Sequence, residues 1–212
     1  RETLFAQLRG LFEQRHQHGR GGLENNLVVI HDRDLSRTTN GTGYLENSSF
    51  TYVRSLDAGK GEQVPILEEV FKIVDRQVII NIELKGNNTA KLVVDLIQKY
   101  LKLGWFYSDF VVSSFNHDEL HRVKAICPNI ITGMLIYGLP WQYLASAQQL
   151  QADLVIPHLD YVTSELIESV HQQGLRVWVY TVNQPDDIKL MRALGADAIF
   201  TNYPERVILN TD

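Results

Sequence analysis

The sequence predicts an α/β fold, in the form of a TIM or (β/α)8 barrel, and three observations predict it. From about Gln77 onward, short apolar runs rich in β-branched residues alternate with segments of helical spacing, at intervals of roughly 20 to 30 residues. The runs are almost continuously apolar, as parallel strands buried on both faces are. The chain has 212 residues, 44% of them hydrophobic and 21% charged. That suits one domain, residues 1–212, because below roughly 250 residues a single core has little reason to split. A doubly wound open sheet is the competing fold, but it needs a topological switch point that the sequence does not display.

Each element follows from local pattern. "ETLFAQLRGLFEQ" (2–14) reads as an amphipathic helix, whereas "RHQHGRGGLENN" (15–26) has no strand character. The barrel is therefore expected to be incomplete or irregular at its first two strands. "LVVI" (27–30) is a short strand. Residues 36–64, rich in Gly, Ser, Thr and Asn, read as a small insertion, a loop or hairpin, with Asn40-Gly41 and Gly43 supplying positive φ. "PILEEVFKIVD" (65–75) is a helix. Strands are expected at "QVIINIELK" (77–85), "DFVVSSF" (109–115), "IITGMLIY" (130–137), "DLVIPH" (153–158), "LRVWVYTV" (175–182) and "DAIFT" (197–201). In "TAKLVVDLIQKYLKLG" (89–104), Val93, Val94, Ile97 and Leu101 form one stripe, with Thr89 as N-cap and Gly104 as stop. "TSELIESVHQQG" and "QPDDIKLMRALG" repeat that design. Pro185 marks a helix start whose positive end suits Asp186 and Asp187.

Composition excludes several classes. The formal charge of -5, without a Lys/Arg block, disfavours nucleic acid as a partner. Cys127 is the only cysteine, so neither an intrachain disulfide nor a cysteine zinc site can form. No apolar stretch reaches the ~20 residues of a transmembrane segment. Residues 1–26 do not resemble a secretory signal, and a cytoplasmic location is expected.

The informative strand is "INIELK". Alternation places Asn81, Glu83 and Lys85 on one face and Ile80, Ile82 and Leu84 on the other. Burying an unpartnered Glu and Lys costs several kcal/mol per ion. A bound cation, an anionic substrate, or a Glu83–Lys85 pair satisfying itself would each offset that. Other strand ends are also polar: Ser113, Ser114 and Phe115; His158; Tyr180, Thr181 and Asn183; Thr201 and Asn202. Such residues gather at an active-site rim, although each alone serves equally as a cap. Trp178 reads as core. His31 could exchange protons near pH 7, and its spacing fits a structural histidine just as well.

Taken together, the motifs resemble one family. His31-Asp32, Leu35 and "RTTNGTG" (Arg37–Gly43) are followed in order by "LDAG" (Leu56–Gly59), "VPILEEVF" (Val64–Phe71), "NIELK" (Asn81–Lys85), "VVSSF" (Val111–Phe115), "VYTVN" (Val179–Asn183) and "TNYP" (Thr201–Pro204). This series is similar to the glycerophosphodiester phosphodiesterases. The resemblance implies a TIM barrel of the phospholipase C-like phosphodiesterase type, and a divalent metal, Mg2+ or Ca2+. The implied reaction is hydrolysis of small-molecule glycerophosphodiesters to glycerol 3-phosphate and an alcohol. It implies His31 and Lys85 as catalytic residues, Glu83 as a metal ligand, and Phe115 and Tyr180 as substrate-binding walls.

Two family motifs have no counterpart before His31. One is His-Arg-Gly, which carries a second catalytic histidine; the other is Glu-x-Asp, which supplies two metal ligands. "TLFAQLRGLFEQ" resembles the family's first helix, and "RHQHGRGG" stands where Glu-x-Asp belongs, with His16 and His18 expected in solvent. The alternative function is therefore an inactive barrel that binds a phosphate-containing ligand, or a truncated or frame-shifted family member. Lysophospholipids are a further substrate class, and no apolar membrane-docking segment in the sequence favours them.

Overall fold

The computed structural model describes residues 5–17 and 23–208, with side chains from Asn26 to Val207. It divides into two compact units, the first ending at Ile130 and the second beginning at Ile131.

In the first unit, β1 (Phe5–Gln17), β2 (Leu23–Val29), β3 (Ile79–Leu84) and β4 (Phe110–Ser114) take the order β2-β1-β3-β4. β3 and β4 are parallel, with Ile80 opposite Phe110 and Glu83 opposite Ser113. β1 runs parallel to β3, but β2 is antiparallel to β1. That reversal is the irregularity expected at the first two strands.

The helix expected over residues 2–14 is overturned where the chain is described, because Phe5–Gln17 is strand. Helical spacing is only a local preference. β3 is buried on both faces and needs backbone partners along each edge. β1 supplies them, from Phe5 opposite Ile79 to Leu11 opposite Leu84. The register slips between Arg9 and Leu11; Gly10, without a Cβ, suits a bulge there. Arg15 and His16 also fall in β1, not in a solvent loop, with His16 opposite Glu24. His18 lies outside the described residues.

The helices of this unit are α1 (Phe50–Ser55), α2 (Leu67–Val74), α3 (Ala90–Leu101) and α4 (His117–Ile126). Val93, Val94 and Ile97 are fully buried, as the stripe requires. Rings from α2, α3 and β4 meet on one side of the sheet: Phe71 lies 4.9 Å from Tyr100, 5.0 Å from Phe110 and 5.6 Å from Trp105. Phe110 is level with Ile80, so Ile80, Ile82 and Leu84 face the helices. Asn81, Glu83 and Lys85 face away from them. Thr89 holds the N-cap position of α3, but its side chain makes no cap hydrogen bond. The buried carboxylate of Glu119 on α4 accepts from Asn88 N (2.9 Å) and Ala90 N (2.8 Å) instead.

The second unit contains β5 (Ile131–Ile136), β6 (Leu154–Pro157), β7 (Arg176–Val179) and β8 (Ala198–Ile199), parallel and in chain order. α5 (Tyr143–Gln149), α6 (Ser164–Gln172) and α7 (Pro185–Leu194) connect them, and α8 (Pro204–Ile208) follows. The expected punctuation holds. Thr163 caps α6 by accepting from Leu166 N, Pro185 opens α7, and Gly195 ends it at φ 86°. Trp178 is buried against Phe200, as core.

Candidate active site

The loop that carries His31 is held by an apolar cluster of its own. Val28, Ile30, Leu35, Leu45, Val53, Leu56 and Val64 are buried together, so the insertion at 36–64 is a packed excursion. It contains a 3-10 turn at Leu45–Asn47 and α1, and no long hairpin. Gly43 has the expected positive φ of 88°. Asn40 and Gly41 do not. Asn40 instead pairs with the backbone of Asp57, donating N–H to its carbonyl at 3.0 Å and accepting from its N–H at 2.9 Å. Gly41 is required by close approach, since a Cβ there would meet Leu56 Cδ1 at 2.5 Å. Arg54 anchors the insertion to α2. Its guanidinium donates to Glu69 at 2.9 and 2.7 Å and to the Val64 carbonyl at 2.6 Å.

Within this frame the His31 Nδ1 is hydrogen-bonded to Asp32 Oδ1, and Arg37 Nε donates to Asp32 Oδ2. Arg37 Nη2 lies 2.7 Å from Asp32 Oδ1 and 3.0 Å from His31 Nδ1. An ionised carboxylate only accepts, so Nδ1 carries the proton and Arg37 spends its own protons on Asp32. That tautomer leaves the lone pair on Nε2, the nitrogen turned away from the Asp32 bond. The Arg37 fork, and after it the His31 bond, holds the Asp32 carboxyl well below the usual carboxylate range.

Lys85 brings the end of β3 to this loop. Its Nζ donates to the His31 carbonyl at 3.0 Å and stands 3.9 Å from Glu83 Oε1. Glu83 is only 5% exposed. Strand register puts Ser113 beside Glu83 on the same face, and alternation adds Asn81 and Phe115. Ser113 Oγ and Asn81 Oδ1 are buried and have no hydrogen-bond partner among the described residues. Buried polar atoms are seldom left so, and two of them beside a carboxylate and an ammonium mark a place built to receive polar atoms. The other strand-end serine serves structure: Ser114 Oγ donates to the Leu84 carbonyl at 2.6 Å. His31, Glu83 and Lys85, all chosen from sequence, are thus gathered. Asp32, Arg37 and Ser113 complete the group; sequence gave no role to the first two, and to Ser113 only a place at a strand end.

Tyr180 lies in the second unit, just beyond β7. Its hydroxyl donates to the Ile136 carbonyl at 3.0 Å, and its ring meets His158 at 5.2 Å. His158 acts as a cap, with Nδ1 accepting from Asp160 N at 3.2 Å. Asn183 Oδ1 accepts from Asn202 N at 2.9 Å, so these strand-end residues also bind the turns that follow them.

A divalent metal would need several hard oxygen or nitrogen donors. Among the described residues, no group of three or more His, Cys, Asp and Glu side chains could hold one. Glu83 is a single carboxylate with an ammonium beside it. The described residues do not fit a metal by themselves.

These elements, mostly parallel strands alternating with helices, define an α/β chain of the incomplete TIM-barrel type, and solved structures share the fold. A phosphodiesterase of Oleispira antarctica, solved with the product sn-glycerol-3-phosphate, superposes with a TM-score of 0.80 at 24% identity, covering 96% of this chain and 84% of that one. A glycerophosphodiester phosphodiesterase structure from Galdieria sulphuraria gives 0.79 at 24% identity, covering 94% and 83%. The model of the glycerophosphoryl diester phosphodiesterase family matches residues 24–206. A glycerophosphodiester phosphodiesterase of Caldanaerobacter subterraneus subsp. tengcongensis is 33% identical over 197 residues, 87% of this chain and 80% of the relative. The chain belongs to the glycerophosphoryl diester phosphodiesterase family.

Proposed function

We propose that this protein hydrolyses glycerophosphodiesters to glycerol 3-phosphate and an alcohol. The observation that carries the reading is the meeting of His31, Glu83 and Lys85 at one strand end, in a chain of this family. Water adds to phosphorus, the bond from phosphorus to the alcohol oxygen breaks, and the proton lost by water ends on that oxygen. His31 Nε2 serves as the proton carrier, with Asp32 fixing the tautomer. Lys85 Nζ sits against the phosphoryl oxygens as charge builds, and the Ser113 hydroxyl donates to the bound ligand. Phe115, on the same strand face, walls the substrate.

Mg2+ or Ca2+ is the cofactor that membership implies, with Glu83 as its ligand from this chain. The described donor set is too sparse for tight binding, and no step above runs through a metal. Calorimetric titration with Mg2+ and Ca2+ is expected to give no micromolar binding; a micromolar isotherm contradicts this.

The test of function is release of glycerol 3-phosphate from glycerophosphocholine and glycerophosphoethanolamine. His31→Ala and Lys85→Met should each lower turnover by roughly 10²- to 10⁴-fold. Wild-type rates in both variants would place the chemistry elsewhere. The sparse metal donors favour one other reading, a non-catalytic barrel that binds a phosphate-containing ligand. That reading prevails if the intact chain binds glycerol 3-phosphate but releases none.

A further inference from the structure

The turn that follows β5 is exposed in an unusual way. In "YGLPW", Tyr137 is 66%, Leu139 52% and Trp141 96% exposed. Gly138, at φ 88°, turns the backbone. Tyr137 is anchored from beneath, with its ring 5.2 Å from His158 and 5.5 Å from Tyr161. From Ala125 through Ala152 no residue is charged, in a chain that is 21% charged overall.

We infer that the Tyr137–Trp141 turn docks on a zwitterionic lipid surface and holds the protein there peripherally. Trp and Tyr settle at headgroup level because each joins an apolar body to a polar atom, and Leu adds apolar depth. No ion in this stretch has to be desolvated. Gly138 permits the positive φ of the turn and Pro140 fixes its own φ, which limits the freedom lost on insertion. A second copy of the chain is a poorer occupant. Aromatic side chains offer roughly 150–250 Å² each, and three side chains fall short of the ~800 Å² per partner that a standard interface buries. An anionic surface is disfavoured because the stretch has no Lys or Arg and the chain carries a formal charge of -5. Attachment is peripheral: among the described residues no helix is long and apolar enough to cross a membrane. Sequence alone hid this segment because Tyr137 ends the strand expected over 130–137, and Gly138 and Pro140 break up the apolar residues that follow. The inference concerns attachment and does not depend on the diesterase reading.

Trp105 and Trp178 are buried, which makes Trp141 the solvent-facing reporter among the three tryptophans. With the full chain and phosphatidylcholine vesicles, tryptophan emission should shift to the blue and acrylamide quenching should fall. Co-sedimentation with the vesicles should survive high salt. Leu139→Ala, which keeps the reporter, should weaken partitioning about tenfold, and Leu139→Ala with Trp141→Ala about a hundredfold. Both positions are exposed, and an unchanged far-UV circular dichroism spectrum confirms that the variants fold. Three results would each overturn the inference: emission indifferent to vesicles, binding that salt abolishes, or a double variant that sediments like wild type. A blue shift that grows with protein concentration in the absence of lipid would instead assign the turn to a second copy.

Discussion

Among single residues, the proposed chemistry turns on which nitrogen of His31 holds the proton. The carboxylate of Asp32 decides it, and Arg37 holds Asp32 in place. Asp32→Asn keeps the shape but removes the charge that selects the tautomer. It should lower kcat about ten- to a hundredfold with little change in KM; an unchanged kcat means that Asp32 does not position His31. The pH dependence has a definite sign. The carboxyl of Asp32 is depressed in the folded protein, chiefly by Arg37 and then by His31. Its contribution to stability is therefore fully present above the unfolded pKa of about 3.9 and is lost as pH falls through the lower folded value. Denaturant midpoints of wild type and Asp32→Asn should differ by a constant amount from pH 7 to about pH 5, and converge only below about pH 4. Convergence already at neutral pH would mean that the ion pair adds nothing. His31, Glu83 and Lys85 stand out as candidates because each lies in a local motif. Asp32 and Arg37 lie in the same motif, but their pairing exists only once the loop folds back on itself.

At the level of elements, periodicity carries far and capping does not. The stripe of Val93, Val94, Ile97 and Leu101 announced α3; the first three are fully buried and Leu101 is half-buried. Sequence points to Thr89, the nearest residue of suitable type, as the cap. The working acceptor is Glu119, whose Oε2 meets Ala90 N from 29 positions along the chain, and no local pattern can reveal such a partner. Its charge also suits the positive end of α3, and Arg122 Nη1 stands 3.1 Å from Oε1. Glu119→Ala would strand two backbone N–H groups at a helix start. It should destabilise the chain by about 2–4 kcal/mol, read from the urea midpoint. Glu119→Gln keeps one acceptor oxygen and should lose less. A Glu119→Ala midpoint within error of wild type would make the cap incidental.

Over the whole molecule, the rhythm of strand and helix after Gln77 was legible because each buried strand and covering helix repeats its own period. The beginning of the chain was not. Residues 2–14 have the spacing of a helix, yet Phe5 to Leu11 pair with β3, because the open edge of a buried strand outweighs local propensity. The choice between these two states is testable by proline. Ala6 and Gln7 lie opposite Ile80 and Asn81, in the part of β1 that pairs with β3 alone. Successive N–H groups of a strand point to opposite edges, so only one of the two can donate to β3. Proline at that position removes a ladder bond and should cost roughly 3 kcal/mol, while proline at its neighbour should cost clearly less. In a helix spanning residues 2–14, both positions are interior and both prolines would be equally damaging. Urea midpoints of Ala6→Pro and Gln7→Pro therefore decide between strand and helix: unequal losses support the β1–β3 pairing, and equal large losses return the segment to the helix that its sequence pattern suggests.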